Sequence, residues 1–164
     1  MPARVLVTDA ESRKALAVVR ALGRDHEVST LSASRISIAG WSRWSRRHHV
    51  VPSGDRFAER VLDLARGRID VIIAPQEDTI IRLGQIADRF ADAGVKLSFP
   101  PLDVLALAFD KGRTVELARD IGIPVPITRV AANHAEIEHA AEEIGYPWCS
   151  SLATHTTGPV PRSA

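Results

Sequence analysis

Two rhythms of apolar and polar positions alternate along the first hundred residues. Short β-rich runs at 4–8 (RVLVT), 26–31 (HEVSTL), 69–74 (IDVIIA) and 95–99 predict buried strands. Residues 50–52 predict a short third strand, which Pro52 ends or sets at an edge. Between these runs the apolar positions take helical spacing. Over 11–22 the apolar face is Ala15, Leu16, Val19 and Leu22. Over 55–66 it is Phe57, Val61, Leu62 and Ala65, with Asp55 as N-cap. Over 77–93 it is Ile80, Leu83, Ala87 and Phe90, with Gly94 as the stop. Strands alternating with helices predict right-handed βαβ crossovers. The expected fold is α/β, a Rossmann-like parallel sheet with helices on both faces. Residues 32–47 read as polar and irregular.

Beyond Pro100-Pro101 the rhythm changes. Residues 102–109 predict a short apolar helix. Residues 110–121 predict a second, headed by Asp110 and closed by Gly122. Ile123-Pro124-Val125-Pro126 must be extended, because proline disfavours helix in the residue before it. Asn133 and Glu136 have N-cap and N3 spacing for a last helix to Ile144, with Ile137, Ala140, Ala141 and Ile144 inward. Gly145-Tyr146-Pro147 predicts the start of another strand. The expected domains are therefore 1–100, then 101–147, then an atypical tail at 148–164.

Composition narrows the class. At 164 residues, with 45% hydrophobic and 25% charged, the chain suits one soluble domain or one domain plus part of another. A net charge of +1 gives no field that favours nucleic acid or a membrane surface. The single cysteine, Cys149, excludes an internal disulfide and cannot alone build a cysteine metal site. The apolar run after Met1 is too short for a signal peptide, and no run nears the ~20 residues that span a bilayer. A cytoplasmic location is the expectation.

The head of the 110–121 helix carries the sharpest chemistry. Lys111 falls in a first turn, beside unpaired backbone N–H groups and the positive end of the helix dipole, which suits a phosphate. From spacing alone, a solvated surface lysine behind an Asp110 cap is the commoner arrangement. The order of features then matters. DKGRTVELARDIGIPVPIT (110–128) and EEIGYP (142–147) follow an α/β segment of about a hundred residues and a double proline. This arrangement resembles the N-terminal part of the ATP-grasp ligases, nearest the carboxylate–amine ligases and the carbamoyl-phosphate-synthetase-like members. The resemblance implies a Rossmann-like pre-ATP-grasp domain followed by the incomplete start of an ATP-grasp α+β domain, with 123–128 as its first strand. It implies that Lys111 contacts ATP phosphates while Asp110 caps and orients the helix. It also implies magnesium, a small carboxylate activated as an acyl phosphate, and an amine nucleophile.

The sequence then leaves that pattern. The family continues from Gly-Tyr-Pro into an apolar pair, Lys-Pro and a glycine-rich phosphate loop. Here Trp148-Cys149-Ser150-Ser151-Leu152 follows, and no lysine comes after Lys111. The family's magnesium ligands have no counterpart. In a shifted reading frame the Trp148 and Cys149 codons supply a valine codon, and codon choices for the next residues continue as Leu-Lys-Pro. Residues 148–164 are therefore expected to be a frameshifted or disordered tail, and the chain alone is expected to lack ligase activity. Exposed apolar faces beyond Pro101 point to a homodimer through the C-terminal region or to local disorder there.

Three other candidates stand beside Lys111. Residues 75–78 (PQED) and 8–11 (TDAE) follow predicted strands at the carboxyl ends where open α/β sheets hold ligands. Asp9, Glu77 and Asp78 are thus substrate-side candidates, with Arg13 in reach, though the acids also read as helix caps. The first turn lacks G-x-G-x-x-G, which argues against a dinucleotide. The run 41–49 (WSRWSRRHH) is basic and aromatic, yet one cluster in a nearly neutral chain makes a nucleic-acid site a minor reading beside an interface. Adjacent His48 and His49 point apart on helix or strand, which argues against a metal site there. A stand-alone Rossmann-like binding module is the alternative to a ligase fragment.

Overall fold

The computed structural model describes residues 1–145. The elements are β1 (Arg4–Val7), α1 (Arg13–Leu22), β2 (Glu27–Ser32), β3 (Arg47–Val50), α2 (Phe57–Ala65), β4 (Val71–Ile73), α3 (Glu77–Gly84), α4 (Ala87–Asp92), β5 (Lys96–Leu97), α5 (Leu102–Phe109), α6 (Lys111–Asp120) and α7 (His134–Ile144). They fall into two compact units, Met1–Leu102 and Asp103–Ala164. The strand and tail expected at 145–147 and 148–164 lie outside the described residues, apart from Gly145.

In the first unit five strands form one sheet in the order β3-β2-β1-β4-β5. Every pairing is parallel, with Val5 opposite both Val28 and Val71. Alternation along β1 sorts the core into two layers. Val5 and Val7 face α1 through Ala15 and Val19. Leu6 faces the other way, into a layer with Leu62, Ile72, Leu83 and Phe90 from α2, β4, α3 and α4. The expected Rossmann-like sheet with helices on both faces is therefore the observed architecture. Between β2 and β3 the crossover is a loop, residues 33–46, not a helix. Its Ala39 is buried and its Trp44 packs on the α1 side of the sheet. Gly23, at the end of α1, makes room for Trp44, since a Cβ there would lie 2.5 Å from the Trp44 Cβ.

Four expectations need correction. The third strand is Arg47–Val50 rather than 50–52. It is an exposed edge strand held by backbone pairing with β2, so apolar spacing does not mark it. Asp55 does not cap α2. Arg56 takes that position without a side-chain bond, and the Phe57 N–H bonds to the Gly54 carbonyl. The predicted 77–93 helix is two helices. Ile86 leaves helical geometry at φ −125°, which turns Ile86 and Phe90 toward the core and leaves Ala87 exposed. Finally, 123–128 belongs to no strand among the described residues, and Ile123 and Ile127 are exposed. Pro124 and Pro126 have no N–H to give a ladder.

The second unit is described as far as Gly145. Asp110 Oδ1 accepts from the Arg113 N–H at 3.1 Å, and Asn133 caps α7 by accepting from the Glu136 N–H at 3.0 Å. Glu136 in turn accepts from the Ala132 N–H at 2.7 Å. These caps fall where the sequence puts them. The inward face expected for α7 does not form a core. Ile137 is exposed, and no side chain of α5, α6 or α7 is fully buried.

One surface tie joins the starts of β1 and β4. Arg4 Nη2 and Asp70 Oδ1 are 2.5 Å apart, and the Arg4 backbone N–H donates to Asp70 Oδ2 at 2.7 Å. Hydrogen bonds from the Arg4 side chain, then its backbone N–H, hold the Asp70 carboxyl down to about 2. A depressed carboxyl stabilises the fold above its ordinary range and loses that stabilisation as pH falls through its folded value. Stability is thus expected to drop between about pH 4 and pH 2, and Asp70→Asn is expected to flatten that drop in denaturant titrations. Both side chains are more than 40% exposed, so the effect is small and shrinks with salt. An unchanged slope in Asp70→Asn would remove the pair from the acid response.

Candidate functional site

The strand order reverses direction between β1 and β4, because α1 crosses one face and α2 the other. That switch point is where open parallel sheets hold ligands, beyond the carboxyl ends of the strands. An open pocket of about 470 Å³ lies there, wholly within the first unit. Asp9 and Glu11 reach it from the end of β1, Ser32 from β2, and Glu77, Asp78 and Arg82 from α3.

Asp9 is the hinge of this arrangement. The chain turns there into α1 at φ 55°, a left-handed conformation that aspartate tolerates better than most residues. Its carboxylate is held from two sides. Thr8 Oγ1 donates to Oδ2 at 2.7 Å, and Thr79 Oγ1 donates to Oδ1 at 2.6 Å. Thr8 and Thr79 are both buried. Asp9 thereby locks the end of β1 to the first turn of α3, and with it the placement of Glu77 and Asp78. The Ser12 N–H bonds to the Asp9 carbonyl at 2.8 Å, and the Ser12 hydroxyl caps α1 by accepting from Ala15.

The structure thus gathers Asp9, Glu77 and Asp78 on one rim, together with Glu11. Arg13 is exposed on α1 and does not line the pocket. Arg82 does, and sequence reasoning passed it over. The signal was local. Arg82 stands four residues after Asp78 and three after Thr79, on the same face of α3. Glu11, Glu77 and Asp78 can bind a ligand that carries an amine, with the Arg82 guanidinium available to a carboxylate.

Lys111 is the first helical residue of α6, exposed, directly after the Asp110 cap. The cap is reinforced by Thr114, whose Oγ1 lies 2.9 Å from the carbonyls of Leu107 and Asp110. A lysine in the first turn of a helix is in the sequence position that suits phosphate. For a metal the residues do not fit: among the described residues no three His, Cys, Asp or Glu side chains gather into a site. No helix among them is long and apolar enough to cross a membrane.

The basic aromatic run is partly strand. On β3 the two histidines face opposite ways. His48 Nε2 donates to the Ser34 carbonyl at 2.9 Å, while Nδ1 lies 2.9 Å from Thr30 Oγ1. Partial burial, then the charge of Arg47, pushes the His49 imidazole below its ordinary range. Neither histidine is placed to share a metal with the other.

No family model matches the chain. A stretch of 62 residues is 40% identical to the carbamoyl phosphate synthase large chain of Mycobacterium tuberculosis (strain ATCC 25618 / H37Rv), covering 38% of this chain and 6% of that protein. Among solved structures, the chain is similar to the biotin carboxylase domain dimer of Hydrogenobacter thermophilus 2-oxoglutarate carboxylase, solved with MgADP, ADP and bicarbonate. The TM-score is 0.60 at 23% identity, over 90% of this chain and 34% of that one. It is also similar to N5-carboxyaminoimidazole synthetase from Staphylococcus aureus complexed with ADP. There the TM-score is 0.62 at 16% identity, over 88% of this chain and 37% of that one. At those identities the two solved structures speak to the fold. The chain spans about a third of their lengths and a far smaller share of the synthase.

Proposed function

We propose, from the premise that this chain belongs to the ATP-grasp ligase superfamily and covers its N-terminal part, that it is the N-terminal portion of an ATP-dependent carboxylate–amine ligase. In this reading the ligase works through an acyl phosphate. The observation that carries the reading is the head of α6, where Asp110 caps the helix and presents Lys111 in its first turn. Lys111 would hold a nucleotide phosphate there, and ATP when bound supplies the phosphoryl group that activates a carboxylate. The rim of Asp9, Glu77 and Asp78 is the substrate side. Its acids suit the amine nucleophile, and Arg82 suits the small carboxylate. Asp9 acts by position, since both of its oxygens are taken by threonine hydroxyls. Magnesium belongs to the same reading, but no described residue is assigned to it and no step is derived through it.

The 164-residue chain by itself is proposed to be inactive. It offers one lysine at that helix head, and no lysine follows Lys111. The domain division at 1–100 and 101–147, the cytoplasmic location and a homodimer through the exposed C-terminal region belong to the same proposal. Support for the homodimer is that Val104 on α5, Leu117 on α6, Ile121 at the α6 C-cap and Ile137 on α7 are exposed.

Phosphate release from ATP, across a panel of small carboxylates and amines, is expected to stay at the buffer rate. Turnover above that rate would overturn the proposed inactivity. A second reading is favoured by one observation: the switch-point pocket is complete within Met1–Leu102. A stand-alone binding module would be stabilised against heat by an amine or carboxylate without ATP, because selective binding to the folded state raises its stability. Such a shift, unchanged in Lys111→Ala, would favour the module over the ligase fragment.

A further inference from the structure

The loop between β2 and β3 inverts the usual preference for burial. Ser37 and Ala39 point inward and are buried, while Ile36 and Ile38 point outward. Ile36 is 68% exposed, Ile38 46% and Trp41 74%. Water would drive a slack loop to reverse this pattern. It holds because the inward side is wired. Ser37 Oγ accepts from the Gly40 N–H at 3.2 Å, the Ala39 N–H bonds to the Ala10 carbonyl at 2.9 Å, and His48 bonds to the Ser34 carbonyl from below. Gly40 lets the loop close on the histidine ring, since a Cβ there would lie 2.8 Å from His48 Nδ1. The loop is therefore a shaped surface that presents apolar side chains to solvent.

Its charge is one-sided. From Val28 to Gly54 there are four arginines, no lysine and no acid, so the segment carries +4 and leaves −3 for the rest of a chain whose total is +1. Arg43 lies over the ring of Trp44, 5.0 Å from its centroid, which leaves the Trp41 ring as the uncovered aromatic.

We propose that this loop is a docking surface for an acidic segment of a partner protein that carries an apolar anchor. Trp and Arg without Lys, Asp or Glu is the composition of a protein interface centre. Charge complementarity selects an acidic occupant. A two-fold pairing of the loop with itself would set three arginines, Arg35, Arg43 and Arg46, against three. A nucleic-acid strand would leave Ile36 and Ile38 without stacking partners.

The test uses the 164-residue chain and a fluorescein-labelled synthetic peptide that repeats Asp-Glu-Leu-Phe, read by anisotropy. Binding is expected, weakened about tenfold or more by Trp41→Ser and by the pair Arg43→Ser with Arg46→Ser, and weakened by added salt. The melting temperature of Trp41→Ser is expected to match the parent, so a lost signal reports the surface and not the fold. Four outcomes would each overturn the proposal. They are equal binding of a polyglutamate peptide, equal binding of a Lys-Arg-Leu-Phe repeat, an unchanged Trp41→Ser, and tighter Trp41-dependent binding of oligothymidylate or phosphatidylglycerol vesicles. None of them bears on ATP or on the switch-point pocket.

Discussion

Phe90→Ala is expected to remove about 3–5 kcal/mol of stability. Phe90 is fully buried in α4, in the layer that also holds Leu6, Leu62, Ile72 and Leu83. Truncation deletes an aromatic ring and leaves a cavity that rigid neighbours fill only in part. Domains of this size hold about 5–15 kcal/mol in total, so the variant should be marginal or unfolded at room temperature. Denaturant titration of the parent and the variant measures the loss. A cost below about 1 kcal/mol would mean that Ile86 collapses into the space and that the break between α3 and α4 is soft. Ile137→Ala is the contrast. It lies exposed on α7, where substitutions move stability by about 0.5 kcal/mol or less.

The second large effect is expected at Asp9. A β-branched side chain at φ 55° is strained, at about 1–3 kcal/mol, so Asp9→Val should be the most damaging exchange at that position. It also strands the buried Thr79 hydroxyl, at about 1–3 kcal/mol, and leaves Thr8 Oγ1 only the Ile73 carbonyl at 3.5 Å. Asp9→Gly relieves the backbone but gives up both bonds. Asp9→Asn tolerates the left-handed turn and keeps one acceptor oxygen. The expected order of stability is therefore Asn above Gly above Val. Equal losses for Val and Asn in thermal unfolding would show that neither the backbone strain nor the shape of the side chain matters there.

These two residues also mark what could be read from the sequence. Local chemistry was legible. Asp110 and Asn133 cap helices because each lies three residues before the N–H it accepts from. The faces of α1 and α2 follow from helical spacing, and the inner strands from β-rich runs. Contacts between distant parts of the chain were not legible. Asp9 could be placed at the end of a strand, yet its bond to Thr79 spans a separation of 70 residues. β3 was misplaced because an edge strand is defined by its neighbour's backbone and not by its own apolar pattern. The face of α3 and α4 slipped by one position because a break at Ile86 has no proline to announce it. Of the pocket, three acids were legible from their place after strands. Arg82 was not, because its role depends on which way α3 turns toward the sheet.

The two borders of the sheet have a consequence for how copies of this chain meet. β3 closes one border with Arg47, His48 and His49, and β5 closes the other with two residues that run on toward Pro100 and Pro101. The Arg47 charge on the first border repels its like, and a very short second border ahead of residues that lack an N–H gives little to copy. Strand-by-strand growth from molecule to molecule, the seed of fibrils, is thus disfavoured at both ends.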